Sequence, residues 1–211
     1  MFEKRQSVRS YKQDMPSDKQ IMKVVEAGLI APSFLNVQPW HFVVVKEPSI
    51  KNILSKLSSG QAHVASAPVV IACCGDLSAW EFSNFKKVLM QRPNMTEEQA
   101  EQLLSLPKLN PTLIDDETVL LRTVEQVTYA TSYMTIEAVN QGLGTCIVGG
   151  IGNPLTRVLP DVYQQAKDAM GLDENKILIS LLTLGYPCDE TILPKKRKDK
   201  EEVLSFDKIK S

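Results

Sequence analysis

Arg5, Ser7 and Arg9 alternate near the start of the chain, and in an extended segment that spacing turns all three side chains to one face. Two cations around a hydroxyl suit a phosphate or the electron-rich edge of a ring, because a guanidinium fork matches paired planar oxygens. On a helix the three would diverge, and a solvated basic N-terminus is the plain alternative. A second set lies in Ala31-Pro32-Ser33-Phe34-Leu35-Asn36-Val37-Gln38-Pro39-Trp40. Two prolines there forbid helix, while Ser33, Asn36 and Gln38 bring hydroxyl and amide groups that donate and accept toward a polar heterocycle. The same stretch also reads as an ordinary helix-to-strand connection plugged by Trp40.

Gly149 and Gly150 follow a short β-branched run, and without Cβ atoms their amides can approach a ligand closely and donate to a ring nitrogen. The pattern is not G-x-G-x-x-G at a strand-to-helix turn, which excludes a Rossmann reading. Lys195-Lys196-Arg197-Lys198 is a charge run of the kind that is ordinarily a solvated terminus or a nonspecific anion patch. Cys73, Cys74, Cys146 and Cys188 contain no C-x-x-C, so they indicate neither a disulfide framework nor a zinc site and read as buried small hydrophobes.

These residues need elements to hold them. Ser17 with Gln20 is a capping-box pattern, and Ile21, Val24, Val25, Gly28 and Leu29 recur at helical spacing, which predicts a helix over 18–30 ended by Pro32. Strands are predicted over 41–45, 69–74, 145–148 and 177–184, and a short helix over 49–58. Between them, 60–68 reads as a polar loop. Gln61 and His63 there offer side chains to a ligand, but a lone surface histidine is usually no more than that, and neither is assigned.

Residues 115–141 carry the longest helical signal, acidic at the start and closed by Gly142. At about 1.5 Å per residue such a helix spans about 40 Å and, apolar around much of its circumference, is a buried central helix or a dimer seam. Short helices are predicted over 153–159 and 161–170. Residues 78–110 form an irregular helical excursion in which Trp80, Phe82 and Phe85 share an amphipathic piece. It reads either as an exposed aromatic lid over a substrate site or as a satellite cluster on the core. Without regular β-α-β alternation the order of elements predicts an α+β fold, a small mixed sheet flanked by helices.

A length of 211 residues with 43% hydrophobic content fits a single domain, 1–211. With 24 basic against 25 acidic residues the net charge is −1, so no overall field recruits nucleic acid or an acidic membrane, and any anion site must be local. Apolar runs such as 67–74 fall far short of the roughly 20 residues that cross a bilayer, and MFEKRQSVRS has no signal-peptide core. The expected setting is cytoplasmic.

Taken in order, Arg5-x-Ser7-x-Arg9, Ala31-Pro32-Ser33-x-x-Asn36-x-Gln38-Pro39-Trp40-x-Phe42, Gly142-Leu143-Gly144-Thr145 leading to Gly149-Gly150, Gly185-Tyr186-Pro187 and Pro194-Lys195-Lys196-Arg197 resemble the FMN-dependent nitroreductase family. That resemblance implies an α+β fold with a mixed, mainly antiparallel sheet. It also implies an intertwined homodimer sharing two FMN sites, with the 115–141 helix in the dimer core. Arg5, with Ser7 beside it, would meet the phosphate end of FMN, and Arg9 the N1–O2 edge of the flavin ring. Pro32, Ser33 and Asn36 would come from the other subunit. Gly149 and Gly150 would lie at N5 with an amide as donor, and Lys195 and Arg197 would hold the phosphate.

Each placement has its own physical sense. A cation at the N1–O2 edge stabilises charge that gathers on hydride uptake, and a phosphate dianion calls for several cations. The implied reaction is ping-pong: NADH or NADPH reduces the flavin and leaves, and a nitroaromatic or quinone-like acceptor takes its place. No catalytic side chain is required, since the chemistry is the flavin's, tuned by Arg9 and Gly150. Alternatives on the same fold are reductive dehalogenation, flavin breakdown or noncatalytic flavin binding. Two features depart from the family: a larger polar residue often stands where this chain has Gly149, and the 78–110 excursion lies where members vary most.

Overall fold

A computed structural model describes residues 2–192 and 194–209. Its centre is a four-stranded antiparallel sheet in the order β1-β2-β4-β3, formed by β1 (Trp40–Val45), β2 (Val69–Asp76), β3 (Gly144–Val148) and β4 (Lys176–Gly185). One parallel bridge, Ser7 to Thr145, adds the N-terminal segment to the β3 edge. The two central strands are buried along nearly their whole length, which is why β2 and β4 read as unbroken apolar runs rather than alternating ones.

Both faces of the sheet are covered. Val69, Ile71 and Cys73 point to a layer that includes Ile21, Val24, Ala130 and Met134, from α1 (Asp18–Leu29) and α6 (Asp116–Asn140). Val70, Ala72 and Cys74 point to the opposite layer, which includes Leu54, Leu57, Val64 and Ala166. Those residues come from α2 (Pro48–Leu57), α3 (Ala62–Ser66) and α7 (Pro160–Met170). The adjacent cysteines therefore lie on opposite faces. A register shift between Cys73 and Cys74 exchanges the phase of β4, so that Ile177 and Ile179 but then Leu182 and Leu184 share one face.

The local signals around the sheet hold. The Ser17–Gln20 capping box closes the start of α1, and Asp115 caps α6 through a 2.7 Å bond from the Thr118 amide. Inside α6, Thr123 and Thr131 return their hydroxyls to carbonyls four residues earlier, which lets polar β-branched residues sit buried in a helix.

Four expectations are corrected. Residues 60–68 contain the helix α3 rather than only a loop, and His63 is buried in it. No helix forms over 153–159; Arg157 and Leu159 have φ of 56° and 54° there, and the segment is a series of turns. Three cysteines are buried as read, but Cys188 is exposed. The aromatics of the excursion are not exposed as a group: Trp80 and Phe85 are fully buried, while Phe82 is open. Trp80 donates to the Thr123 hydroxyl at 2.9 Å and meets Phe85 edge-on at 5.6 Å. With Val37, Leu89, Ala100, Leu104 and Val119 they form a satellite core spanning α4 (Phe82–Leu89) and α5 (Glu97–Leu104). A short helix, α8 (Lys200–Val203), follows the basic run and buries none of its residues.

Candidate functional site

The N-terminal segment is extended, as the alternating residues require. The Val8 amide donates to the Thr145 carbonyl at 2.9 Å, and the Lys12 amide to the Tyr186 carbonyl at 2.8 Å. Gly144 permits this approach, since a Cβ there would lie 2.6 Å from the Val8 side chain. Tyr11 pins the segment from below, donating to the Val8 carbonyl and sharing a 2.6 Å bond with the Thr183 hydroxyl; burial pushes its phenol far above the ordinary range. With Val8 turned inward, Arg5, Ser7 and Arg9 share the opposite face. All three act on one group, the Cys146 thiol of β3. Burial raises its pKa, and the two guanidiniums and the Ser7 hydroxyl oppose that rise.

The basic run comes back to the same end. Lys195 donates to the Glu3 carbonyl at 2.6 Å, which sets its ammonium beside the turn that precedes Arg5. Arg197 is exposed and, among the described residues, donates to its neighbour's carbonyl, that of Lys196. Four of the expected cofactor residues thus gather on one edge of the sheet, with Arg197 on the segment that Lys195 anchors.

Gly149 and Gly150 continue from β3 at that edge. A Cβ at either position would meet nothing within 4 Å, so the pair faces open space. The next residues are crowded: a Cβ on Gly152 would lie 2.5 Å from the Val158 carbonyl, and the Gly152 amide donates to the Leu57 carbonyl at 2.9 Å. Asn153 then fixes the exit. Its side-chain oxygen accepts from the amides of Leu155 and Thr156, both at 3.0 Å, and its NH₂ donates to the β4 carbonyls of Leu178 and Ile179.

Pro32, Ser33 and Asn36 lie elsewhere. The loop joins α1 to β1, on the far edge of the sheet from β3. Three inter-strand steps of about 4.8 Å put the outer strands about 14 Å apart. The loop is closed on itself: the Ser33 hydroxyl accepts from the Gln38 amide at 3.0 Å, and the Gln38 side chain donates to the Asn36 carbonyl. Leu35, Asn36 and Gln38 all have positive φ, of 49°, 64° and 50°. Gln126 of α6 accepts from the Phe34 amide at 2.8 Å, and a groove of about 160 Å³ runs between Pro32, Ser33 and the α6 side chains Arg122 and Tyr129.

The nitroreductase family model matches residues 2–186. The chain belongs to the nitroreductase family. A relative from Thermus thermophilus, an NADH dehydrogenase, is 28% identical over 187 residues, 89% of this chain and 85% of its own. An FMN reductase [NAD(P)H] from Bacillus subtilis is 27% identical and covers 88% of this chain, which spans 64% of that relative. A crystal structure from Exiguobacterium sibiricum 255-15 in complex with FMN has the same fold, with a TM-score of 0.77 at 20% identity over 97% of this chain and 94% of that one.

For this nitroreductase-family chain, sequence reasoning misses three residues that shape the site's surroundings. Gln126 looks like one polar residue in a long helix, and Asn153 like a helix start. His63 reads as a surface side chain, yet it is 8% exposed and its Nε2 is buried with no hydrogen-bond partner. Burial, and then the charge of Arg9, lowers its pKa. The one available signal is its place in a run of small residues just before a buried strand.

Proposed function

We propose that this chain is an FMN-dependent oxidoreductase that takes hydride from NADH or NADPH and passes it to nitroaromatic or quinone-like acceptors in two separate half-reactions. The observation that carries the reading is the β3 edge: Arg5, Ser7 and Arg9 on one face beside a glycine pair open to solvent. A dianionic phosphate joined to a flat ring fits that donor set, with cations at one end and backbone amides without side-chain cover at the other. FMN, when bound, supplies the hydride-accepting ring. Arg5, Lys195 and Arg197 hold the phosphate, Ser7 adds a hydroxyl beside them, and Arg9 sets a fixed positive charge at the N1–O2 edge. Gly149 and Gly150 present amides to the ring centre.

In the same reading the working unit is a homodimer, and Pro32, Ser33 and Asn36 reach the cofactor of the other subunit. Two observations support it: the loop sits on the far edge of its own sheet, and α6 leaves Leu121, Tyr129 and Tyr133 exposed along one face. Each subunit acts as one domain, the 78–110 excursion serving as a lid anchored through Trp80. Partners are small-molecule acceptors, not nucleic acid or membrane; no helix among the described residues is long and apolar enough to cross a membrane. Cysteines without disulfides fit a cytoplasmic setting.

Purified protein should be yellow, and its flavin absorbance should bleach anaerobically on adding NADH or NADPH and return with an acceptor. Colourless protein that gains no absorbance with added FMN would sink the proposal, and yellow protein that no reductant bleaches would leave a flavin-binding protein without this activity. Within the site, Arg9→Ala slows flavin reduction more than it weakens FMN binding, and Arg197→Ala does the reverse. Equal loss of flavin in both variants would remove the division of roles.

A further inference from the structure

We propose that Arg122 is a specificity-determining residue that selects aromatic acceptors carrying a carboxylate; the inference rests on the FMN reading above, in which the 31–40 loop reaches the other subunit's cofactor. Phe34 and Arg122 together line two spaces of about 160 Å³ each. One is the groove beside Pro32 and Ser33, and the other lies among Trp80, Pro111 and a second cation, Lys108. A cavity of roughly 150 Å³ holds one benzene ring. Each space therefore suits a single six-membered ring, and a guanidinium stands where the two meet.

That guanidinium is braced. Its carbon lies 5.5 Å from the centre of the Phe34 ring, and its Nη1 donates to Glu125 Oε2 at 3.1 Å. Glu125 is held in turn, accepting from the Gln126 side chain and from the Tyr129 hydroxyl, both at 2.9 Å. Gln126 accepts from the Phe34 amide at 2.8 Å, so Phe34, Gln126, Glu125 and Arg122 form a closed circuit. An exposed ion pair contributes little to stability, and fixing a long side chain loses rotamer freedom. Yet the Arg122 side chain is 44% exposed. What the bracing does supply is a preorganised fork: the pair with Glu125 uses one of five N–H donors, and the rest match the paired oxygens of a planar anion. Glu125 offsets one positive charge and Lys108 restores it. The aromatic walls favour an anion mounted on a ring over the bare phosphate of a dinucleotide, which would meet Phe34 and Trp80 with nothing apolar to offer them.

The test uses the full-length holoenzyme as wild type, Arg122→Gln and Arg122→Lys. Each is assayed with 4-nitrobenzoate and with 4-nitrobenzamide, which differ in charge but little in shape, and the oxidised form is titrated with benzoate by the change in flavin absorbance. Arg122→Gln should lower the ratio of kcat/KM for the acid over the amide about ten-fold, chiefly through KM, and weaken benzoate by a similar factor, as the loss of one charge-assisted hydrogen bond implies. Arg122→Lys, which keeps the charge without the fork, should recover part of both. The inference falls if the ratio and the benzoate affinity stay within about two-fold of wild type, or if both acceptors lose equally. It falls also if the loss appears instead in KM for NADPH and not for NADH, since the anion would then be the reductant's phosphate. An active yellow enzyme with an unchanged ratio overturns this inference alone; wild-type protein that binds no FMN overturns the FMN reading, and this inference with it.

Discussion

The β3 edge and the 31–40 loop hold the two groups of polar residues that stand out in the sequence, and they are built differently. Along the edge, Arg5 and Arg9 form no ion pair among the described residues, and Gly149 and Gly150 face open space. In the loop, by contrast, Ser33, Asn36 and Gln38 bond one another, three residues hold left-handed backbone, and the satellite core lies beneath. The edge leaves its hydrogen bonds to be made by something else. The loop uses its own to fix a shape, so that what it presents outward is a rigid surface. In the proposed homodimer the two have different uses: one side grips and the other fits.

Substitutions can break this contrast, and the largest effect belongs to the support under the loop. Trp80→Ala removes a fully buried indole and its bond to Thr123, and should cost about 3–5 kcal/mol by urea denaturation. A loss below about 1 kcal/mol would mean that the loop stands without its core. Next comes the edge: Gly150→Phe fills open space, so the flavin-free protein should unfold at an unchanged temperature while FMN affinity drops about a hundred-fold. If unfolding shifts as much as binding, the edge is packed rather than open. The smallest change sharpens the loop side. Asn36→Gly relieves a φ of 64° at an exposed position, and stability should move by less than about 0.5 kcal/mol. FMN affinity measured on the same variant then reports what the amide contributes, free of any change in fold.

How much of this is legible in the sequence depends on the range of the interactions. The α1 capping box, the length of α6, all four strands and the alternation of Arg5, Ser7 and Arg9 are written within a few residues of themselves, and the sequence places them to within a residue or two at most ends. The features it hides depend on distant partners. Trp80 looks exposed because its partner Thr123 is 43 residues away on another helix. The five residues of α3 carry little propensity of their own and are held by burying His63 and Val64. Asn153 gives a helix-start signal, but its NH₂ goes to carbonyls 25 and 26 residues on, in β4. Which of the motif segments a single chain brings together is a matter of strand order, and no local pattern contains that.

Asn153 has a further consequence. Glycine-rich backbone is normally the most mobile part of a chain, and a ligand that binds it must first immobilise it. Here the pair hangs between two fixed points, β3 on one side and the Gly152–Leu57 and Asn153–β4 bonds on the other. Within the span the Ile151 amide already donates to the Gly149 carbonyl at 2.9 Å and Ile151 is buried, so most of the ordering is complete before any ligand arrives. The span behaves as a short taut bridge, and because its far anchor is a central buried strand, the amides of the pair keep their place for as long as the sheet itself holds.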